Sequence, residues 1–130
     1  MTTPSTSEAR AARVLVVDDE PSVRNLLAVA LRVAGYDPHL AGSGAEALAL
    51  VQQDPDAFDA ALIDLNMPDL DGLATIAALR RINSRLRCAI ISGDVGLSED
   101  ALRAAGAQRL IRKPFSLQSL AVELAALLSP

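Results

Sequence analysis

Three short apolar runs, residues 14–17, 60–63 and 88–91, each stop at a polar side chain: Asp18, Asp64 and Ser92. Runs of about four to eight apolar residues without polar alternation predict strands buried on both faces, the condition of a parallel sheet covered by helices on either side. In open sheets of that kind ligands bind in the crevice beyond the carboxyl ends of the strands. The residues that end these runs therefore stand where chemistry is expected, and Asp64, in the stretch FDAALIDLNMPDLDG of residues 58–72, is the centre of the pattern.

The intervening segments carry helical signals. Pro21 suits the first turn of a helix, and Val23, Leu26, Leu27, Ala30, Leu31 and Ala34 follow at helical spacing before Gly35, a natural C-terminal cap. Residues 36–41 read as a second strand, placed at a sheet edge because Pro38 cannot donate to a ladder. Ser43 and Glu46 form a capping-box pattern that opens a helix running to about residue 52. A third helix spans residues 72–81 with Leu73, Ile76, Ala77 and Leu79 as its apolar positions, and a weaker, Ala-rich fourth spans 98–105. Residues 109–112 form a short strand with charged ends, followed by Lys113, Pro114 and Phe115. Ser116 caps a last helix with Leu117, Leu120, Ala121, Leu124 and Leu128 on one face.

Strands alternating with helices imply right-handed crossovers and a doubly wound parallel sheet. The most apolar runs belong at its centre, while the Pro38-containing and charged-ended strands belong at its edges. The order 2-1-3-4-5, a flavodoxin-like α/β arrangement with helices on both faces, satisfies these constraints. A chain of 130 residues suits one domain, expected over residues 13–130 after a flexible, Thr- and Ser-rich tail at 1–12.

Composition narrows the function. A net charge of −4 argues against direct nucleic-acid binding, and the cluster Arg80, Arg81, Arg85 and Arg87 reads as a solvated helix end. No apolar run reaches the ~20 residues of a membrane span, and the start of the chain lacks a signal peptide's apolar centre. The lone Cys88 excludes an internal disulfide and fits a reducing compartment, so a cytoplasmic location is expected.

With strands one and three adjacent, Asp18, Asp19 and Asp64 converge on one rim. Like charges that close repel unless a cation intervenes, and Mg²⁺, which accepts one or two carboxylates together with waters and phosphate oxygens, is the natural candidate. Taken alone, Asp18 and Asp19 would read as ordinary helix caps. Strands four and five bring Ser92 and Lys113 to the same rim, and a carboxylate nucleophile, a metal, a hydroxyl and an ammonium are the parts needed to accept and hold a phosphoryl group.

The motifs VVDDEP (16–21), IDLNMPDLDG (63–72), IISG (90–93) and KPF (113–115), in this order and spacing, resemble the receiver domain of two-component response regulators. The resemblance covers residues 13–128. It implies that Asp64 is the phosphoacceptor, taking the group from a phosphohistidine on a sensor histidine kinase or phosphotransfer protein. It further implies that Asp19 ligates Mg²⁺ directly and Asp18 chiefly through water, with the Asn66 backbone carbonyl completing the protein ligands. Ser92 would hydrogen-bond the phosphoryl oxygen and Lys113 would pair with it. The Lys113–Pro114 peptide would be cis, and Asn66 and Asp94 would tune the aspartyl-phosphate lifetime. Such a protein catalyses its own phosphorylation and hydrolysis without being a conventional turnover enzyme. One position departs from the pattern: Leu110 stands where many receivers carry the Tyr or Phe of the switch, so signalling is expected to depend on Ser92 and the backbone after it.

Other readings fare worse. An EF-hand loop starting at Asp64 fails at Pro68, Asp69 and Thr75, and Gly42-Ser43-Gly44 lacks the Gly-Lys-Ser/Thr ending of a phosphate loop, leaving it as a turn plus a cap. His39 lies in the edge strand, away from the acids, where a structural or solvent-exposed place is expected and catalysis is not. The alternative of a different class is an interaction module that signals without phosphorylation, and the complete set Asp18, Asp19, Asp64, Ser92 and Lys113 speaks against it. The apolar last helix leaves open a homodimer through the strand five and helix five face.

Overall fold

The computed structural model describes residues 11–93, 96 and 98–129. Five parallel strands, β1 (Arg13–Val17), β2 (Asp37–Ala41), β3 (Ala60–Asp64), β4 (Arg87–Ser92) and β5 (Ala107–Arg112), form one sheet in the order β2-β1-β3-β4-β5. Five helices connect and follow them: α1 (Pro21–Val33), α2 (Gly44–Gln53), α3 (Gly72–Ile82), α4 (Glu99–Ala105) and α5 (Leu117–Leu128). The order and the edge positions of β2 and β5 are those expected from the sequence. Pro38 lies opposite Val14 on the outermost strand, where its missing N–H costs no ladder bond.

The apolar runs 14–17, 60–63 and 88–91 of the central strands feed two cores. Val14, Val16, Ala60, Leu62, Ala89 and Ile91 meet Leu27 and Leu31 of α1 and Leu120, Leu124 and Leu127 of α5. The alternate residues, Leu15, Val17, Ala61, Ile63, Cys88 and Ile90, meet Ala47 and Val51 of α2, Ile76 and Leu79 of α3 and Leu102 of α4. Helices α1 and α5 thus cover one face and α2, α3 and α4 the other. With both faces of the sheet covered, the alternating side chains of Ala60–Ile63 all enter one core or the other, and Asp64 at the strand's end is buried beside them.

Two helices differ from their expected faces. On α5 the inward stripe is Leu120, Leu124 and Leu127, whereas Leu117 is 56% exposed. So many positions of this helix are apolar that its sequence gives no unique stripe, and packing against the sheet selects one. On α1, Leu26 is 56% exposed, and Ala28 takes part in the core instead.

The helix ends are set by local chemistry. Pro21 opens α1, and Gly35, at φ 93°, follows its C-cap Ala34. The Ser43 hydroxyl accepts the Glu46 N–H at 3.1 Å, as expected, but the Glu46 carboxylate accepts from Gly42 (2.9 Å) and not from Ser43, so the box is displaced by one residue. A reciprocal box, Ser116 with Ser119, starts α5. The expected tail falls mostly on residues 1–10, outside the described residues, and Ala12 already accepts the Asp37 N–H at 2.9 Å.

Candidate functional site

At the carboxyl end of β1 the chain delivers Asp18, which is 1% exposed. Its N–H donates to Ala41 O at 3.1 Å and its Oδ1 accepts the Glu20 N–H at 2.9 Å. Its carbonyl oxygen accepts from Arg24 Nη1 at 2.8 Å. Asp64 ends β3 and is 6% exposed, while Asp19 is exposed. Ligand oxygens of Asp18, Asp19 and Asp64 lie within 4.8 Å of one another. From β5, Lys113 reaches across and donates from Nζ to Asp64 Oδ1 at 3.2 Å. Ser92 ends β4, 1% exposed, with its carbonyl accepting the Lys113 N–H at 2.9 Å. The Lys113–Pro114 peptide is cis.

The sheet register explains the convergence. Val17 pairs with Ile63, Asp64 with Ile91 and Ser92 with Arg112, so four strands finish at the same level and their next side chains share one rim. Burial then sets the electrostatics. Removal from water pushes the Asp18 carboxyl above the usual range, with the neighbouring Asp64 charge adding to the rise, while the Glu20 N–H and Lys113 act against it.

The donor set fits a hard divalent cation. Asp18 Oδ2 is buried without a hydrogen-bond partner, an arrangement costly for a carboxylate unless a cation supplies what water no longer can. Asp18, Asp19 and Asp64 offer it all-oxygen ligation, and Asn66, itself exposed, is two residues beyond Asp64. Leu110 is half-buried on β5 and packs against the core shared by α2, α3 and α4. Asp94 lies outside the described residues. His39 stands apart on β2, hydrogen-bonded to Asp37 at 3.2 Å and edge-on to Phe58.

Two supports of the site go beyond the sequence reading, which took Gly72 only as part of the loop that opens the third helix. Gly72 has no room for a side chain, since a Cβ there would lie 2.5 Å from Asp64 O and 2.8 Å from Leu65 Cα. Its N–H donates to Leu65 O at 2.8 Å, turning the chain back under Asp64. A glycine opening a helix after an acidic loop was the available signal. Arg24, bonded to the Asp18 carbonyl, occupies a polar position on α1 that periodicity marks only as outward.

These features define a flavodoxin-like α/β protein with an acidic, lysine-bearing rim. Residues 14–125 match the response regulator receiver domain family, and the chain belongs to it: it is a receiver domain of two-component systems. It is 38% identical over 118 residues to the response regulator MprA of Mycobacterium leprae, covering 89% of this chain and 50% of that protein. The same figures relate it to MprA of Mycobacterium tuberculosis, so the chain spans about half the length of these curated relatives. Among solved structures, the chemotaxis protein CheY4 of Vibrio cholerae superposes with a TM-score of 0.82 at 30% identity, covering 90% of this chain and 98% of that one. A response regulator from Chloroflexus aurantiacus gives 0.83 at 30% identity, over 93% and 100%.

Proposed function

We propose that this receiver accepts a phosphoryl group on Asp64 from a phosphohistidine of a sensor histidine kinase or phosphotransfer protein, and that the phosphorylated form exchanges protein partners. The observation that carries this reading is the meeting of a lysine and three acids: Lys113 Nζ stands 3.2 Å from Asp64 Oδ1, and the three carboxylates gather within 4.8 Å. An isolated surface acid would have neither neighbour.

In the transfer, an Asp64 oxygen attacks phosphorus. The O–P bond forms as the P–N bond breaks, and the imidazole nitrogen leaves with the electron pair. Lys113 offsets charge on the transferred group, and the Ser92 hydroxyl donates to one of its oxygens. Asp18, Asp19, Asp64 and the Asn66 carbonyl would hold Mg²⁺. When bound, the cation relieves the carboxylate repulsion and accepts phosphoryl oxygens. Transfer replaces the single negative charge of the Asp64 carboxylate with the ~1.5–2 charges of a phosphoryl group, beside the acids Asp18 and Asp19, so its retention depends on these cationic partners. Asn66 and Asp94 tune its lifetime.

Residues 13–130 act as the receiver unit. With Leu110 in the place of an aromatic, the switch runs through Ser92 and the backbone after β4. Leu117 (56% exposed) and Val122 (66% exposed) on α5 support a partner surface on the β5 and α5 side, for a second copy or for another protein.

Incubation with Mg²⁺ and acetyl phosphate tests the assignment by intact mass. The wild type gains one phosphoryl group and Asp64→Ala gains none. A wild type without the adduct would leave a phosphorylation-independent interaction module, and an adduct on Asp64→Ala would move the acceptor elsewhere.

A further inference from the structure

The loop between β3 and α3, residues 65–71, carries Asn66. Its inner part is tied close to the sheet: the Leu65 N–H donates to Ile91 O at 3.1 Å, and Met67 is turned into the core at 8% exposure. The outer part is tied to a different element. The Asp69 carboxylate accepts the N–H of Ala45 at 3.2 Å and, at 3.4 Å, that of Gly44, donors in the first turn of α2 that have no partner within their own helix.

A second contact locks the same junction. A Cβ on Gly44 would lie 2.6 Å from Thr75 Oγ1 and 2.9 Å from Leu70 Cβ, so only glycine lets α2 approach this closely. Thr75 is fully buried, and its hydroxyl donates to Asp71 O at 2.9 Å. Gly44 is therefore more than a turn residue. It is half of an interlock joining the start of α2, the loop and the first turn of α3.

Helix α2 already has its local cap in Ser43, which serves only its own helix. Asp69 reaches the same end from 25 residues away and so joins two elements, one of which carries Asn66. The N–H groups it accepts, that of Ala45 foremost, hold its carboxyl below the usual range.

We propose that Asp69 is a positioning residue for the cation site: by tethering the outer loop to α2, it keeps the Asn66 backbone carbonyl where a divalent cation needs it, without touching the ion. The inference rests on the reading above only in placing Asn66 at the cation site, and it requires no phosphoryl transfer. Because coupling between sites is reciprocal, cation binding must in turn steady the Gly44 and Ala45 amides.

Mg²⁺ titration by calorimetry, with the amide signals of Gly44 and Ala45 followed by NMR, tests this. Asp69→Ala weakens Mg²⁺ binding about tenfold, the low end of the 10–100-fold range for residues that orient metal ligands. Asp69→Asn keeps a carbonyl oxygen for one N–H and recovers part of the loss. Ser43→Ala removes the local cap of the same helix and leaves Mg²⁺ affinity unchanged. In the wild type Mg²⁺ slows hydrogen exchange at Gly44 and Ala45, and in Asp69→Ala it does not. Wild-type Mg²⁺ affinity in Asp69→Ala, or an equal loss in Ser43→Ala, overturns the proposal, and a wild type that binds no Mg²⁺ removes its premise. Failure to accept phosphate would leave every one of these measurements standing, so the two readings fail separately.

Discussion

The Asp18 carboxyl is 1% exposed, with one oxygen bonded to the Glu20 N–H and the other without a partner. Burial raises its pKa in the folded state. Without a cation, the folded protein therefore keeps a proton that the unfolded chain has already released, and stability falls as pH rises from the ordinary carboxylate range through the folded value. Asp18→Asn has no such titration and can still accept from Glu20. In EDTA at neutral pH it should melt above the wild type. Mg²⁺ at about 100 times its Kd should stabilise the wild type by about 2.7 kcal/mol and the variant by far less. Thermal melts with EDTA and with Mg²⁺ check both halves, and a variant melting below the wild type in EDTA would contradict the account. Gly72 belongs beside Asp18, since its missing side chain lets the backbone pass against Asp64 O. Asp18 was readable from sequence because it ends an apolar run. Gly72 was readable only as the glycine that opens α3; its close approach to Asp64 O was not, because that neighbour is a backbone atom.

Helix α5 tests how packing chooses among equivalent residues. Leu117, Leu120, Leu124, Leu127 and Leu128 all satisfy helical spacing for one stripe or another, yet Leu124 is 0% exposed and Leu117 is 56% exposed. Leu124→Ala should cost about 2–5 kcal/mol, the range for removing a buried leucine side chain. Leu117→Ala should stay within about 0.5 kcal/mol. Urea unfolding followed by circular dichroism separates them, and equal losses would mean that the stripe is misplaced. The contrast with β3 is instructive. A central strand has both faces buried, so an unbroken apolar run identifies it without choosing a face, whereas a surface helix must choose one.

At the scale of the whole molecule, the proposed switch would link the rim to distant surfaces. The Ser92 carbonyl accepts the Lys113 N–H at 2.9 Å, so in the switch proposed above a shift of β4's end is passed to β5. A preference of ~1–3 kcal/mol between two such arrangements changes partner affinity 5–150-fold. Ser92→Ala should accept phosphate from acetyl phosphate yet lose that discrimination, measured as partner affinity with and without the adduct. An unchanged phospho-dependent difference would exclude Ser92 as the switch. The amino-acid sequence by itself determined the strand order, the edge strands and the convergence of Asp18, Asp64, Ser92 and Lys113 on one rim. Strand burial, the proline restriction and the crossover rule all act through short stretches of chain. Only the tertiary structure decided which leucines of α5 and α1 face inward and how Asp69, Gly44 and Thr75 interlock. Those outcomes depend on contacts between residues far apart in the chain, where shape and unsatisfied N–H groups select a partner that no local pattern names.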